Sequence, residues 1–412
     1  MKMTNIQGSN SIKLFFSKKI LLPIITVTYS FATFFANGSL LGINTKWFSV
    51  ILFITFLNLL TRKKHKSLIN QRLTTLFFIF TIFETINMVT GVSSHPGGIM
   101  TLFSISIMSF TFYRLPIPIL KLILKYLYYS IIPIICLSAI KGIFGIEIVS
   151  ISSEKAQEFI ETNSLQEKVT RFKGIFDNPN SLAIYSIFLT NWVIGSIFSG
   201  LKKNQSLFLL KIIFLSVCGA ASIYCGVSTL SLQYPVSIFL VQISLRFFYG
   251  FKKLSFKQLI VDMFLGGSII ACTFYLQNLL LTTPDERKGA RWQNFLDAFS
   301  QTNNWDLLGN GFAQNIITSV TIDVGPLKWF LELGMYSILL LIIYIFLNLV
   351  KLYKLRAYYG TSNLIIYYSS YMTVLANWTA ENVIYSPLYL TTTIWIILSI
   401  IIEKMKYTKL NS

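Results

Sequence analysis

Long apolar runs alternate along this chain with short polar or basic breaks. A helix needs roughly 20 apolar residues to cross a bilayer, with a range of about 17–25. By that rule about twelve runs qualify: 20–41, 48–60, 73–90, 98–112, 122–140, 180–198, 207–226, 230–245, 259–281, 327–350, 362–378 and 388–402. The second, fourth, eighth and last are short. The pattern predicts an all-α integral membrane protein of about twelve transmembrane helices. Pro116 and Pro118 mark a turn, and Pro133 and Pro235 are placed to kink their helices.

Charge fixes the expected orientation. Basic clusters recur between the runs: Lys18-Lys19, Arg62 to Lys66, Lys202-Lys203, Lys252-Lys253, Lys351 to Arg356 and Lys404 to Lys409. Eleven of the 16 acidic residues fall instead in two long polar stretches, 141–178 and 282–325. Lys and Arg mark cytoplasmic loops. With both termini in the cytoplasm, every basic cluster lands inside and both long stretches become extracytoplasmic loops. One span more or fewer would put Lys252-Lys253 or the Lys351 cluster outside. The first run is too long for a cleavable signal peptide and is read as a retained span. The whole of 1–412 reads as a single polytopic membrane domain without an internal repeat.

Composition agrees. Of 412 residues, 54% are hydrophobic and only 12% charged, too few charges for a soluble domain of this length. The formal charge of +19 raises nucleic acid as a partner. The bases sit at the ends of apolar runs rather than on one module, so the partner they indicate is the lipid bilayer. Cys136, Cys218, Cys225 and Cys272 all lie inside apolar runs, lack metal spacing and read as packing residues. His65 and His95 have no partner pattern, so no metal site and no histidine mechanism is assigned.

Candidate chemistry gathers in the outer loops. The first loop ends in Arg171-Phe172-Lys173-Gly174-Ile175-Phe176-Asp177-Asn178-Pro179-Asn180. Gly174 and Asn178-Pro179 are turn residues, and Asn180 is placed to cap the next helix. Arg171 and Lys173 beside a helix N-terminus suit a phosphate or diphosphate; ordinary capping with solvated bases reads the same residues. In the second loop Trp292, Phe295, Leu296 and Phe299 recur at helical spacing, with Arg287 and Arg291 four apart beside them. This is an interfacial helix, either presenting arginines to a lipid-linked diphosphate or serving as a plain anchor. Asp323 precedes the run at 327–350 and is either a proton acceptor for a hydroxyl or a cap. Glu84 sits midway along its run, where an ionised carboxylate is costly and marks a functional candidate. Glu332 has Lys328 at i,i+4 spacing as a ready partner.

Taken in order, four pieces resemble the O-antigen ligase/O-antigen polymerase-like family of bacterial membrane proteins. They are R-x-x-G-x-F-x-x-P-N at Arg171 to Asn180, Gly289-Ala290-Arg291-Trp292, Leu308-Gly309-Asn310-Gly311-Phe312, and Leu331-Glu332-Leu333-Gly334. The resemblance covers most of the chain. Two departures stand out. Where ligases of the family carry His-Asn, this chain has Asp323-Val324. Where they often carry Ser-Arg at the start of the eighth span, it reads Ser228-Thr229-Leu230-Ser231. The resemblance therefore points to a polysaccharide repeat-unit polymerase more than to a ligase.

What the resemblance implies is a glycosyltransferase on the outer face of the plasma (inner) membrane, with no metal or other cofactor. It would join polyprenyl-diphosphate-linked oligosaccharide units, as donor and acceptor, into O-antigen, capsule or exopolysaccharide. A flippase and a chain-length regulator would be its partners. Arg171 and Arg291 would stabilise the departing diphosphate, with Lys173 and Arg287 in support, and Asp323 would act as base. The rival readings are a ligase for finished glycan and a flippase or transporter of the same lipid-linked units.

Overall fold

Helices account for nearly all of the described backbone. The structure, a computed structural model, describes residues 21–34, 39–40, 43–60, 71–92, 96–145, 172–176, 179–198, 208–229, 231, 233–249, 267, 307–311, 325–378, 384 and 389–407. Eleven helices are described: α1 (Leu21–Phe34), α2 (Thr45–Leu60), α3 (Arg72–Val89), α4 (Gly97–Arg114), α5 (Ile117–Phe144), α6 (Pro179–Phe198), α7 (Phe208–Ser228), α8 (Gln233–Tyr249), α9 (Gly325–Tyr359), α10 (Thr361–Trp378) and α11 (Leu390–Lys404). A two-residue antiparallel pairing, β1 (Ser39–Leu40) with β2 (Ile43–Asn44), joins α1 to α2.

Eleven of the twelve expected runs coincide with a helix; 259–281 lies outside the described residues apart from Gly267. Among the described residues five helices, α3, α5, α6, α7 and α9, are long and apolar enough to cross a membrane. Two expectations are corrected. The run 20–41 is not one helix, because residues 39 and 40 are extended and paired. Pro235 kinks nothing, because α8 starts at Gln233 and places it in the first turn, where its missing N–H has no intrahelical partner. Pro133 lies inside α5 as expected.

The short helix α11 is the centre of the bundle. Thirteen consecutive residues from Leu390 to Ile402 are buried, against neighbours from α3, α4, α5, α9 and α10. A helix apolar all round is a helix enclosed on all sides. Lipid tails are as apolar as leucine, so packing and internal hydrogen bonds hold such a bundle. Thr393 accordingly shares a 2.7 Å hydrogen bond with the Tyr29 hydroxyl, and Tyr29 stacks on Phe53 with centroids 4.3 Å apart. The Cys225 thiol on α7 donates to the Ile135 carbonyl on α5. The outer surface is apolar: Leu209, Ile213 and Val217 on α7 and Ile343 and Phe346 on α9 are all at least half exposed. Such a surface requires a bilayer.

Interhelical hydrogen bonds sort the helix termini onto two ends. At one, the Glu403 carboxylate accepts from Tyr113 and, at 2.5 Å, from Tyr344, while Lys351 donates to the Glu403 carbonyl at 2.6 Å. Lys404 reaches the Leu115 carbonyl there, and Arg356 the Phe248 carbonyl. At the other end, Gln233 donates to Asn377 at 2.9 Å and Asn87 to the Leu308 carbonyl at 2.9 Å. The first end carries Lys351 to Arg356 and Lys404. The second carries residues 172–176, 308–311 and 331–334.

Candidate functional site

Helix α9 is interrupted at Gly334, whose φ of 77° and ψ of 179° are not helical. A break exposes main-chain groups on both sides, which must find partners where water is excluded. Residues 307–311 supply them. The amides of Asn310 and Gly311 donate to the carbonyls of Leu331 and Glu332 at 3.0 and 2.9 Å, and the Asn310 side chain adds a 3.0 Å bond to Leu331. On the far side of the break, the Tyr336 amide donates to the Leu307 carbonyl at 3.3 Å. The two backbones meet at two glycines. A Cβ on Gly334 would lie 2.4 Å from the Gly309 nitrogen, and one on Gly309 would lie 2.3 Å from the Glu332 oxygen. Two motifs that the sequence marks separately, Leu308 to Phe312 and Leu331 to Gly334, thus interlock from Leu308 to Gly311; Phe312 lies outside the described residues.

Polar groups surround this junction. Glu332 is 1% exposed and pairs with Lys328 at 3.7 Å, the i,i+4 partnership its spacing predicts. One face of α3 packs against the same region. Phe77 and Phe80 touch the ring of Trp329 edge-on at 6.1 and 5.8 Å, and Asn87 bonds Leu308. Glu84 falls between them at helical spacing and is fully buried. The Trp329 indole donates to the Ile384 carbonyl at 2.8 Å and packs against Trp378.

The turn at Phe172 to Phe176 is anchored at the same end. Its Phe172 amide donates to Ser228 on α7 at 3.3 Å, and its Ile175 amide to the Ser138 hydroxyl on α5 at 3.3 Å. Gly174, with φ of 61°, packs so tightly on Ser138 that a Cβ would lie 2.6 Å from its hydroxyl oxygen. Phe176 stacks on Tyr185 at 5.5 Å and Phe172 meets Tyr224 edge-on. These contacts hold Lys173, half-buried, over the ends of α5, α6 and α7. Asn180 is the second residue of α6 and not its cap, since the helix begins at Pro179. Nearby, the Ser231 amide donates to the Thr229 hydroxyl at 3.3 Å, and Gln233 donates to Asn377, the neighbour of the Trp378 that packs on Trp329.

Arg171, Arg287, Arg291 and Asp323 lie outside the described residues, as does the expected interfacial helix. Lys173, Glu84 and Glu332 are placed at or toward one end of the bundle. No group of three or more His, Cys, Asp or Glu side chains with metal-binding geometry occurs among the described residues. Asn87, Gln233 and Asn377 belong to this polar end but carry no sequence motif. Asn87 was reachable by a simple signal: it stands three residues after Glu84, on the same helix face. What the arrangement offers is a rigid, hydrogen-bonded backbone junction flanked by one cation–carboxylate pair and a second buried carboxylate. Searches against protein-family models, curated proteins and solved structures find no match to this chain.

Proposed function

We propose that this protein is a glycosyltransferase of the bacterial plasma membrane that polymerises polyprenyl-diphosphate-linked oligosaccharide repeat units on the outer face. The growing chain is the donor and a new lipid-linked unit is the acceptor. A hydroxyl of the acceptor's terminal sugar attacks the donor's anomeric carbon. The new glycosidic bond forms as the bond to the diphosphate breaks, and polyprenyl diphosphate leaves. Arg171 and Arg291, helped by Lys173 and Arg287, offset the charge that develops on the leaving group, while Asp323 accepts the proton. About twelve spans with both termini inside place these loops outside, as the distribution of Lys and Arg requires.

The interlocking of Leu308 to Gly311 with Leu331 to Gly334 is the observation that carries this reading. Two of the four pieces behind the family resemblance form one structural unit, at the end away from Lys351 to Arg356 and Lys404. One feature favours a second reading. Interrupted helices with polar surroundings build substrate sites in transporters, so α9 also suits a flippase for the same lipid-linked units.

Glycan analysis of a deletion strain separates the readings. Loss of a polymerase leaves single repeat units on the surface acceptor. Loss of a flippase traps the units inside, and loss of a ligase leaves polymer on the lipid carrier. Either of the last two outcomes refutes the proposal.

A further inference from the structure

The basic end of the bundle holds an open cavity of ≈ 820 Å³ lined by Tyr353, Lys354, Arg356, Ala357, Tyr358 and Tyr407. No acidic side chain is among these lining residues. The nearby Glu403 carboxylate is taken up by the Tyr113 and Tyr344 hydroxyls, and its carbonyl by Lys351.

Arg356 is held in one plane. Its guanidinium lies over the Tyr353 ring at 4.3 Å, donates to the Tyr353 hydroxyl at 3.1 Å and donates to the Phe248 carbonyl. A guanidinium has five N–H donors, and two of them are engaged among the described residues, which leaves three for a ligand at the cavity. Fixed donors in that plane suit a phosphate, which arginine binds bidentately. Lys354 is exposed beside it, and Lys351 stands 5.9 Å from the Tyr407 ring centre.

The surroundings indicate a lipid as the source of the phosphate. Tyr353, Tyr358 and Tyr407 are 54%, 38% and 47% exposed, and exposed tyrosines at a span's end lie at the headgroup level. From the cavity an exposed stripe runs along α9 through Phe346, Ile343 and Leu339 at helical spacing. A headgroup at Arg356 would leave its acyl chains along that stripe. We propose that this cavity binds the phosphodiester headgroup of an anionic phospholipid from the leaflet at the basic end. The site is separate from the outer junction and does not rest on the polymerase reading.

Native mass spectrometry of the purified full-length protein tests this, with phosphatidylglycerol and phosphatidylcholine of matched chains as probes. Wild-type protein should retain phosphatidylglycerol preferentially. A basic residue near an anionic surface is worth about 1 kcal/mol, or roughly fivefold in binding. Lys354→Gln should therefore weaken retention roughly fivefold, and Lys354→Gln with Arg356→Gln roughly 25-fold. Because Arg356 also reaches the Phe248 carbonyl, the exposed Lys354 provides the variant expected to leave folding intact. Equal retention of the two lipids overturns the proposal, as does undiminished retention by Lys354→Gln. Displacement of phosphatidylglycerol by excess inorganic phosphate would show a free-anion site and overturn it too.

Discussion

Replacing Gly334 with alanine attacks the junction at its tightest point. The backbone at φ 77° and ψ 179° belongs to a region essentially reserved for glycine. Forcing an alanine there costs about 1–3 kcal/mol. The new Cβ would also meet the Gly309 nitrogen and the Leu307 oxygen at 2.4 Å each. Both are main-chain atoms and cannot rotate away, so the segment 307–311 must move. Four hydrogen bonds then weaken: those from the Asn310 amide, the Asn310 side chain, the Gly311 amide and the Tyr336 amide. At roughly 1 kcal/mol each, losing even two adds ~2 kcal/mol, for a total of about 3–5 kcal/mol. Gly360→Ala is the control: its φ is 76°, yet nothing lies within 4 Å of a Cβ there, so only the cost of the positive φ, about 1–2 kcal/mol, applies. The assay is unfolding in mixed micelles followed by tryptophan fluorescence, because Trp329 and Trp378 sit beside the junction. Gly334→Ala should lower stability well beyond Gly360→Ala. Equal effects would refute the interlocked junction.

Three further predictions follow from the expected loops. Cysteines introduced at Gln166 and Gln301 should react with a membrane-impermeant maleimide in intact cells or spheroplasts, while one at Ser412 should not; the reverse labelling overturns the orientation. Arg171→Lys and Arg291→Lys should both impair polymerisation at normal expression, because an ammonium lacks the planar fork that grips a diphosphate; full-length polymer would reduce that arginine to an anchor. Asp323→Asn should leave insertion intact but slow polymerisation by roughly 10²–10⁴-fold, since asparagine caps a helix as well as aspartate does yet is no base; wild-type polymer would make Asp323 a cap.

The helices were legible in the sequence because long apolar runs bounded by polar breaks mark them. Their arrangement was not. α11 reads as a short final run, yet its thirteen consecutive buried residues place it at the centre. A run enclosed by protein and a run facing lipid look alike when both are apolar. Glu403 carries no motif in the sequence, yet Tyr113 from α4 and Tyr344 from α9 close over it. Gly309 and Gly311 stand in one motif of the sequence and Gly334 in another, inside an apolar run. Their meeting was not legible, because backbone contact between segments more than twenty residues apart leaves no periodicity. The Glu332–Lys328 pair was read correctly because its partners lie one helical turn apart.

Reconstitution of the purified protein in liposomes, with a polyprenyl-diphosphate-linked repeat unit supplied in the membrane, tests the central claim most directly. Both products are followed together: oligosaccharide length and free polyprenyl diphosphate. The account predicts a ladder of lengthening chains, with one polyprenyl diphosphate released for each bond formed. Movement of intact units across the bilayer with neither ladder nor released carrier would contradict it and establish a transporter instead.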